Sequence, residues 1–253
     1  MSVHLRQICL AAADLAAVVA ALSRHLGLAV AHEDPAVAEF GLENRLLRVD
    51  HQFLEVVAPR STDAPVQRFL KRRGGDGGYM AILQVVGREA REGVLARAKA
   101  MGIRTVFEAG GETWKLTQFH PADTGGSFLD IEWDAAEDPK GPWFAAGGLD
   151  WREAPASSDT LAIQGATIRA VEPEATAARW AALLGVPREG TTLRLNEGEL
   201  RFTPAGGQAD SGISAVSLSV RDPEALIRAA DADARLPDAA GLRLAGVDFL
   251  LSV

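Results

Sequence analysis

The chain has 253 residues, long for one compact core and short for several domains. With 47% hydrophobic and 24% charged residues it has the make-up of a soluble globular protein, and a net charge of −8 offers no basic face to nucleic acid. The single cysteine, Cys9, excludes an internal disulfide and a cysteine-rich metal centre, and it fits a reducing compartment.

The stretch up to Asp14 is too short and too polar for a signal peptide. Apolar runs such as 11–22 are broken by Asp14 and fall short of a membrane span. A cytoplasmic protein is expected, with neither membrane nor nucleic acid as partner.

From Leu5 to Ala13 the pattern predicts a strand. Asp14 then reads as a helix N-cap, followed by Leu15, Val18, Val19, Leu22 and Leu26 at helical spacing, and Gly27 closes the helix. Strands are expected at 28–32, 45–49 and 52–58. In the last of these, Glu55 alternates with Leu54 and Val56, so it projects from the face opposite the apolar one. Residues 59–78 read as a helix end and a flexible turn, with Lys71, Arg72 and Arg73 as a solvated face and four glycines flanking Asp76.

The pattern then restarts. A strand at 79–85, a helix at 88–101 closed by Gly102, and strands near 104–107, 115–119 and 127–133 are expected; in the last, Asp130 and Glu132 alternate with Leu129, Ile131 and Trp133. Residues 139–158 read as a linker, with Trp143, Phe144 and Trp151 pinned against one of the flanking domains. A third copy follows (strand 166–171, helix 173–184, Gly185, strands 192–195 and 199–203). A fourth, shortened copy has its strand at 216–220, the N-cap Asp222, a helix over 223–234 and a final strand reaching Val253. Gln7, Met80, Gly165 and Ala215 each stand seven residues before an N-cap position, at Asp14, Gly87, Glu172 and Asp222. This spacing indicates a four-fold internal repeat.

A tandem βαβββ unit resembles the module of the vicinal oxygen chelate superfamily, the glyoxalase, bleomycin-resistance and dioxygenase group. The resemblance rests on the strand-to-helix run 7–15, the strand 53–59, the segment 120–126 leading into Phe128, Leu129 and Asp130, and the glyoxalase-like Asn44-Arg45-Leu46-Leu47. It implies an α+β fold of four modules paired into two glyoxalase-like domains with curved mixed sheets. Residues 1–138 form the N-terminal domain (modules 1–75 and 76–138), 139–158 the linker and 159–253 a degenerate C-terminal domain. In such pairs the metal ligands come from the first and last strands of each module. Here those positions are Gln7, Glu55, Met80 and Asp130. Met80 departs from the pattern, because a thioether is a poor ligand for a hard divalent ion. The C-terminal pair offers Gly165 and Ala215, with Leu200, Glu199 or Arg201 and then Asp248 or Leu250 on the closing strands; no ligand set is present there.

Gln7, Glu55 and Asp130 are the candidate metal ligands, and Glu55 the candidate catalytic base, since a dry, unpaired carboxylate gains the pKa a base needs. The competing reading for Glu55 is a salt bridge to Arg48, and for Gln7 a hydrogen bond to a neighbouring strand residue. Met80, Cys9 and Trp114 are candidate substrate contacts, with core or rim packing as the alternative. His120 reads as a structural loop residue, and Arg169 as an anion ligand or a surface salt bridge. The expected cofactor is one divalent ion (Mg, Mn, Zn, Ni or Fe), or none because Met80 replaces a histidine. Three functions compete: a metal-assisted isomerase, epimerase or lyase; a metal-free protein that binds or sequesters a small organic molecule; and an extradiol dioxygenase, disfavoured by Gly165 and Ala215. A homodimer is a further expectation.

Overall fold

A computed structural model describes residues 2–125 and 127–253; Met1 and Gly126, the latter in the 120–126 segment, lie outside the described residues. The first module is β1 (Ser2–Ala11), α1 (Leu15–Leu26), β2 (Val30–His32), β3 (Leu42–Val49) and β4 (Gln52–Pro59). Asp14 caps α1 by accepting from Ala17 N, and Gly27 ends it at φ 66°. After α2 (Pro65–Arg73) the second module runs β5 (Gly77–Val86), α3 (Arg88–Ala100), β6 (Thr105–Gly110), β7 (Trp114–Phe119), the short α4 (Pro121–Thr124) and β8 (Phe128–Asp134). The third is β9 (Thr160–Ala170), α5 (Pro173–Leu184), β10 (Arg188–Glu189), β11 (Thr192–Arg194) and β12 (Glu199–Pro204). The fourth is β13 (Gly212–Val220), α6 (Pro223–Ala229), β14 (Gly241–Leu244) and β15 (Val247–Ser252). All four expected N-cap positions begin their helices, Asp14 and Asp222 with a side-chain capping bond, Gly87 and Glu172 without one. Among the described residues no helix is long and apolar enough to cross a membrane.

Each module is built the same way: its first strand pairs in parallel with its last, and the remaining strands follow antiparallel outward. The first strands then join antiparallel, β1 to β5 and β9 to β13. The N-terminal pair curls far enough for Phe40 and Phe107, from its two outer ends, to meet edge-on at 5.0 Å.

α1, α3, α5 and α6 cover the convex side and share one apolar core with both pairs, α1 touching α6 and α3 touching α5. The pairs are also joined through backbone, with Ile213 of β13 bridging Gly78 of β5. A Cβ on Gly78 would lie 2.4 Å from that of Ile213, so the close approach requires glycine. The buried Gln52 donates to Leu5 O (2.8 Å) and Ile163 O (2.9 Å) and accepts from Ile163 N (2.7 Å), tying β1 to β9.

Two expectations change. The basic stretch before the glycines is a helix, α2, with Val66, Phe69 and Leu70 buried and Lys71 and Arg72 outward. The fourth helix stops at Ala229 and gives way to a single turn over Ala232–Ala234. Through the Ile213–Gly78 pairing the strands of both pairs run in one hydrogen-bonded sheet.

Candidate functional site

Strand register decides which residues are equivalent. Across β1 and β5, Gln7 faces Ile82 and Cys9 faces Met80, so Gln7 corresponds to Met80 and Cys9 to Ile82. Cys9 pairs with Glu55, and Ile82 pairs with Asp130. Glu55 and Asp130 are therefore true equivalents. In the C-terminal pair Thr167 pairs with Arg201 and Ser217 with Leu250, so those two residues occupy the acid positions. Gly165, Arg201, Ala215 and Leu250 supply no acid, histidine or amide.

On the concave face of the N-terminal pair Glu55 lies among neutral partners. Its Oε2 accepts from Gln7 Nε2 at 2.9 Å and its Oε1 from Asn44 Nδ2 at 2.7 Å. Burial raises its pKa, opposed by hydrogen bonds from Asn44, Cys9 and Gln7. Arg48 turns elsewhere: it donates to Asp50 O and to Arg152 O and Ala154 O, so no salt bridge to Glu55 forms. Gln7 Oε1 in turn accepts the indole N–H of Trp143 at 2.6 Å. Gln118 Nε2 donates to Met80 Sδ at 3.3 Å and bonds Asp130 from the neighbouring strand.

Below this set β8 sends three acids inward, Asp130, Glu132 and Asp134, all buried. Asp130 Oδ1 and Glu132 Oε1 have no hydrogen-bond partner. Burial pushes Asp130 well above the carboxylate range, helped by the charges of Glu132 and Glu55. Burial likewise brings Glu132 up to about 8 against the pull of Arg6. Arg6 is fully buried and is itself lowered to about 10 by desolvation. It donates to Gln84 Oε1 at 2.6 Å and to the carbonyl of Pro139, while Gln84 Nε2 donates to Asp134 Oδ2 at 2.7 Å.

Two covers close much of the concave face. α2 packs on Cys9, Ala11, Val57 and Tyr79, with Met80 and Phe128 at the edge of that cluster. The expected linker forms the other cover: Trp143 and Trp151 bury against Leu46, Phe53 and Ile82, again with Met80 at the edge. Met80, Gln118, Phe128 and Leu42 stay half-buried between the covers. Cys9 is sealed, and burial beside Glu55 raises its thiol pKa. Trp114 stacks on Phe144 of the linker at 5.4 Å and 9°, away from Glu55. Tyr79 packs on Phe69 and Phe128. His120 caps α4, accepting from Ala122 N, and Arg169 pairs with Asp210 at 2.7 Å.

Asn44, Gln118 and Arg6 are the site residues that sequence reasoning missed. Asn44 belongs to the Asn44-Arg45-Leu46-Leu47 motif, and Asn44 and Gln118 each interrupt an apolar strand face. That is the available signal, since such a group needs a partner.

The metal that the fold implies can be tested against these donors. Glu55, Gln7 and Met80 already face N–H groups, whose positive ends lie where a cation would sit. Only Asp130 keeps an unpartnered oxygen among the four positions. Among the described residues no three His, Cys, Asp or Glu side chains converge as a metal set. As arranged, the four positions do not fit a divalent ion.

The glyoxalase-like domain family matches residues 8–184. The chain belongs to the glyoxalase-like domain family, within the vicinal oxygen chelate superfamily. The matched span of this glyoxalase-like chain takes in both N-terminal modules, the linker and the third module through α5. No curated protein matches it. Among solved structures it is similar to methylmalonyl-CoA epimerase from Mycobacterium tuberculosis, at 25% identity over 52% of this chain and 88% of the other, with a TM-score of 0.45. It is similar also to a methylmalonyl-CoA epimerase in complex with methylmalonyl-CoA and NH4+, at 22% identity, 55% and 99% coverage and a TM-score of 0.45. A hypothetical protein from Bacillus halodurans C-125 is 19% identical over 53% and 96%, again at 0.45.

Proposed function

We propose that this glyoxalase-like protein binds a small organic molecule without a metal ion, on the concave face of its N-terminal pair. The ligand would sit between the two covers, over Met80, Gln118 and Phe128, with the Glu55 carboxylate as floor. The observation that carries this reading is that both Glu55 oxygens accept from amides, Gln7 and Asn44. A carboxylate held in this way is an anchored acceptor, and the two N–H groups stand where a cation would approach it. Met80 adds an adaptable apolar wall.

The test is a thermal-shift screen of small organic compounds against chelator-treated protein. A compound that stabilises the fold must bind it, because only the native state offers the site. The expected compound raises Tm equally with chelator and with added Mg, Mn, Ni or Zn, and M80K weakens it by about tenfold or more. Binding that vanishes with chelator would overturn the metal-free reading.

A second reading, an isomerase that moves a proton between carboxylates, is favoured by the pKa of Glu132 near neutrality and the unpartnered oxygen of Asp130. Proton exchange from a bound carbon acid, lost in D130N, would select it. The dioxygenase reading has no donor set in the C-terminal pair, where Arg201 and Leu250 replace the acids.

A further inference from the structure

The strap that links the two pairs, residues 135–159, lies over the very amide whose repeat equivalent is Met80. Trp143 is 1% exposed. Its N–H meets Gln7 Oε1 at 2.6 Å, and the Arg6 guanidinium lies over its ring, 4.8 Å from the centroid. A flat aromatic group, a ring N–H aimed at a waiting amide oxygen, and a cation on the ring face are what a bound heterocycle would show.

The strap is also self-contained in its backbone bonding. Among the described residues, the backbone N–H bonds of its central part stay inside it: Trp143 with Gly148, Ala146 with Trp143, Gly147 with Phe144, Asp150 with Gly147, Arg152 with Leu149. Among the described residues no strand ladder holds this part to the sheet. Its attachments are side chains, with Arg6 on Pro139 and Gly141, Gln84 on Asp138, and Arg48 on Arg152 and Ala154. The fit is imperfect: Trp151 Nε1 of the strap, and Arg6 Nε, Glu132 Oε1 and Asp130 Oδ1 of the sheet, are buried without partners. Leaving such groups unpaired costs free energy that a better-matched occupant would recover.

We infer that the strap is a displaceable internal ligand: Trp143 holds the place of a flat aromatic molecule with an N–H or O–H donor, which enters by lifting residues 139–153 and donating to Gln7. The inference rests on the binding function proposed above and extends its site from Met80 and Gln118 to Gln7.

Native-state hydrogen exchange on the full chain tests the opening, with the amides of Trp143, Ala146, Gly147 and Gly148 as reporters. They are expected to exchange ~100-fold faster than those of β1 and β4, with no dependence on low urea, the mark of a local opening. Millimolar indole is expected to speed them further, and 1-methylindole, which lacks the N–H, to leave them unchanged. In W143G, indole is expected to raise Tm with an affinity about tenfold above that of 1-methylindole. Should W143G not fold, the wild-type exchange data decide alone. Strap amides that open only with β1 and β4, or that respond alike to indole and 1-methylindole, overturn the inference. A compound from the thermal screen that binds over Met80 while the strap opens only globally sinks the internal-ligand idea and leaves metal-free binding standing. Strap opening to indole with no compound binding over Met80 keeps the internal-ligand idea and moves the proposed site from Met80 to Gln7.

Discussion

Glu55 and Asp130 are equivalents under the internal repeat, yet Glu55 has both carboxylate oxygens engaged by amides while Asp130 has one oxygen with no partner. The two acids should therefore respond oppositely to replacement by the amide. In E55Q an amide N–H replaces an oxygen that accepts from Gln7 or Asn44, and two donors then face each other. The expected cost is about 1–3 kcal/mol. D130N replaces an acid whose charged form burial disfavours and which carries an unmet oxygen, so it should be neutral or stabilising at pH 8. Urea unfolding of both variants checks the contrast.

The acids of β8 set a pH dependence of unusual sign. Glu132 rises from an ordinary 4.5 to about 8 in the folded protein, chiefly through burial. Between those values the folded state binds more protons than the unfolded one, so stability falls as pH rises through that window. The loss is on the order of 2–5 kcal/mol at most. E132Q should flatten the decline, as measured by unfolding free energies from pH 5 to pH 8.

A cluster at the junction of the pairs should act in the reverse direction. Glu197 meets His51 Nε2 at 2.8 Å and His4 Nδ1 at 3.5 Å. Burial raises Glu197, but hydrogen bonds and charge from His4 and His51 outweigh it and hold the carboxyl at about 2. Its contribution is present above pH 4.5 and is lost as pH falls from there towards 2. E197Q should remove about 1–3 kcal/mol at pH 6 and much less at pH 3. The difference between variant and wild type across that range is the readout.

Trp143 separates packing from hydrogen bonding. W143A should cost about 3–5 kcal/mol by leaving a cavity against Phe53 and Ile82. W143F keeps most of the volume, leaves Gln7 Oε1 unmet, and should cost about 1–3 kcal/mol. Denaturant midpoints of the two variants measure the difference.

Divalent metal should neither bind stoichiometrically nor matter to stability. Calorimetric titration of Mg, Mn, Zn and Ni, and Tm before and after chelation, provide the check; a single tight site removed by chelator would contradict the donor arrangement around Glu55.

Much of the fold was legible because it is periodic. Asp14, Glu172 and Asp222 announce their helices, Gly27 and Gly185 close theirs, and the alternation of Leu54, Glu55 and Val56 places the acid on the non-helical face. Register in the C-terminal pair stayed open, because no polar residue there marks a face strongly enough to choose Arg201 over its neighbours. α2 was hidden by composition: Val66, Phe69 and Leu70 form its buried stripe, but three basic residues in the last turn dominate the local pattern. The strap was least legible. Its tryptophans follow no period, and a loop that folds back onto a sheet leaves no spacing rule to read. The partners of Glu55 come from β1 and β3, so they appear only once the strands are laid side by side.

Gly78 lies in a glycine run that looks like slack, yet its bare backbone lets β5 and β13 meet, and Gln52 pins the same two halves from another strand. The molecule is accordingly welded rather than hinged. Calorimetry should show one cooperative transition for both pairs, and a chain cut within the strap should leave two fragments that remain associated until the whole protein melts.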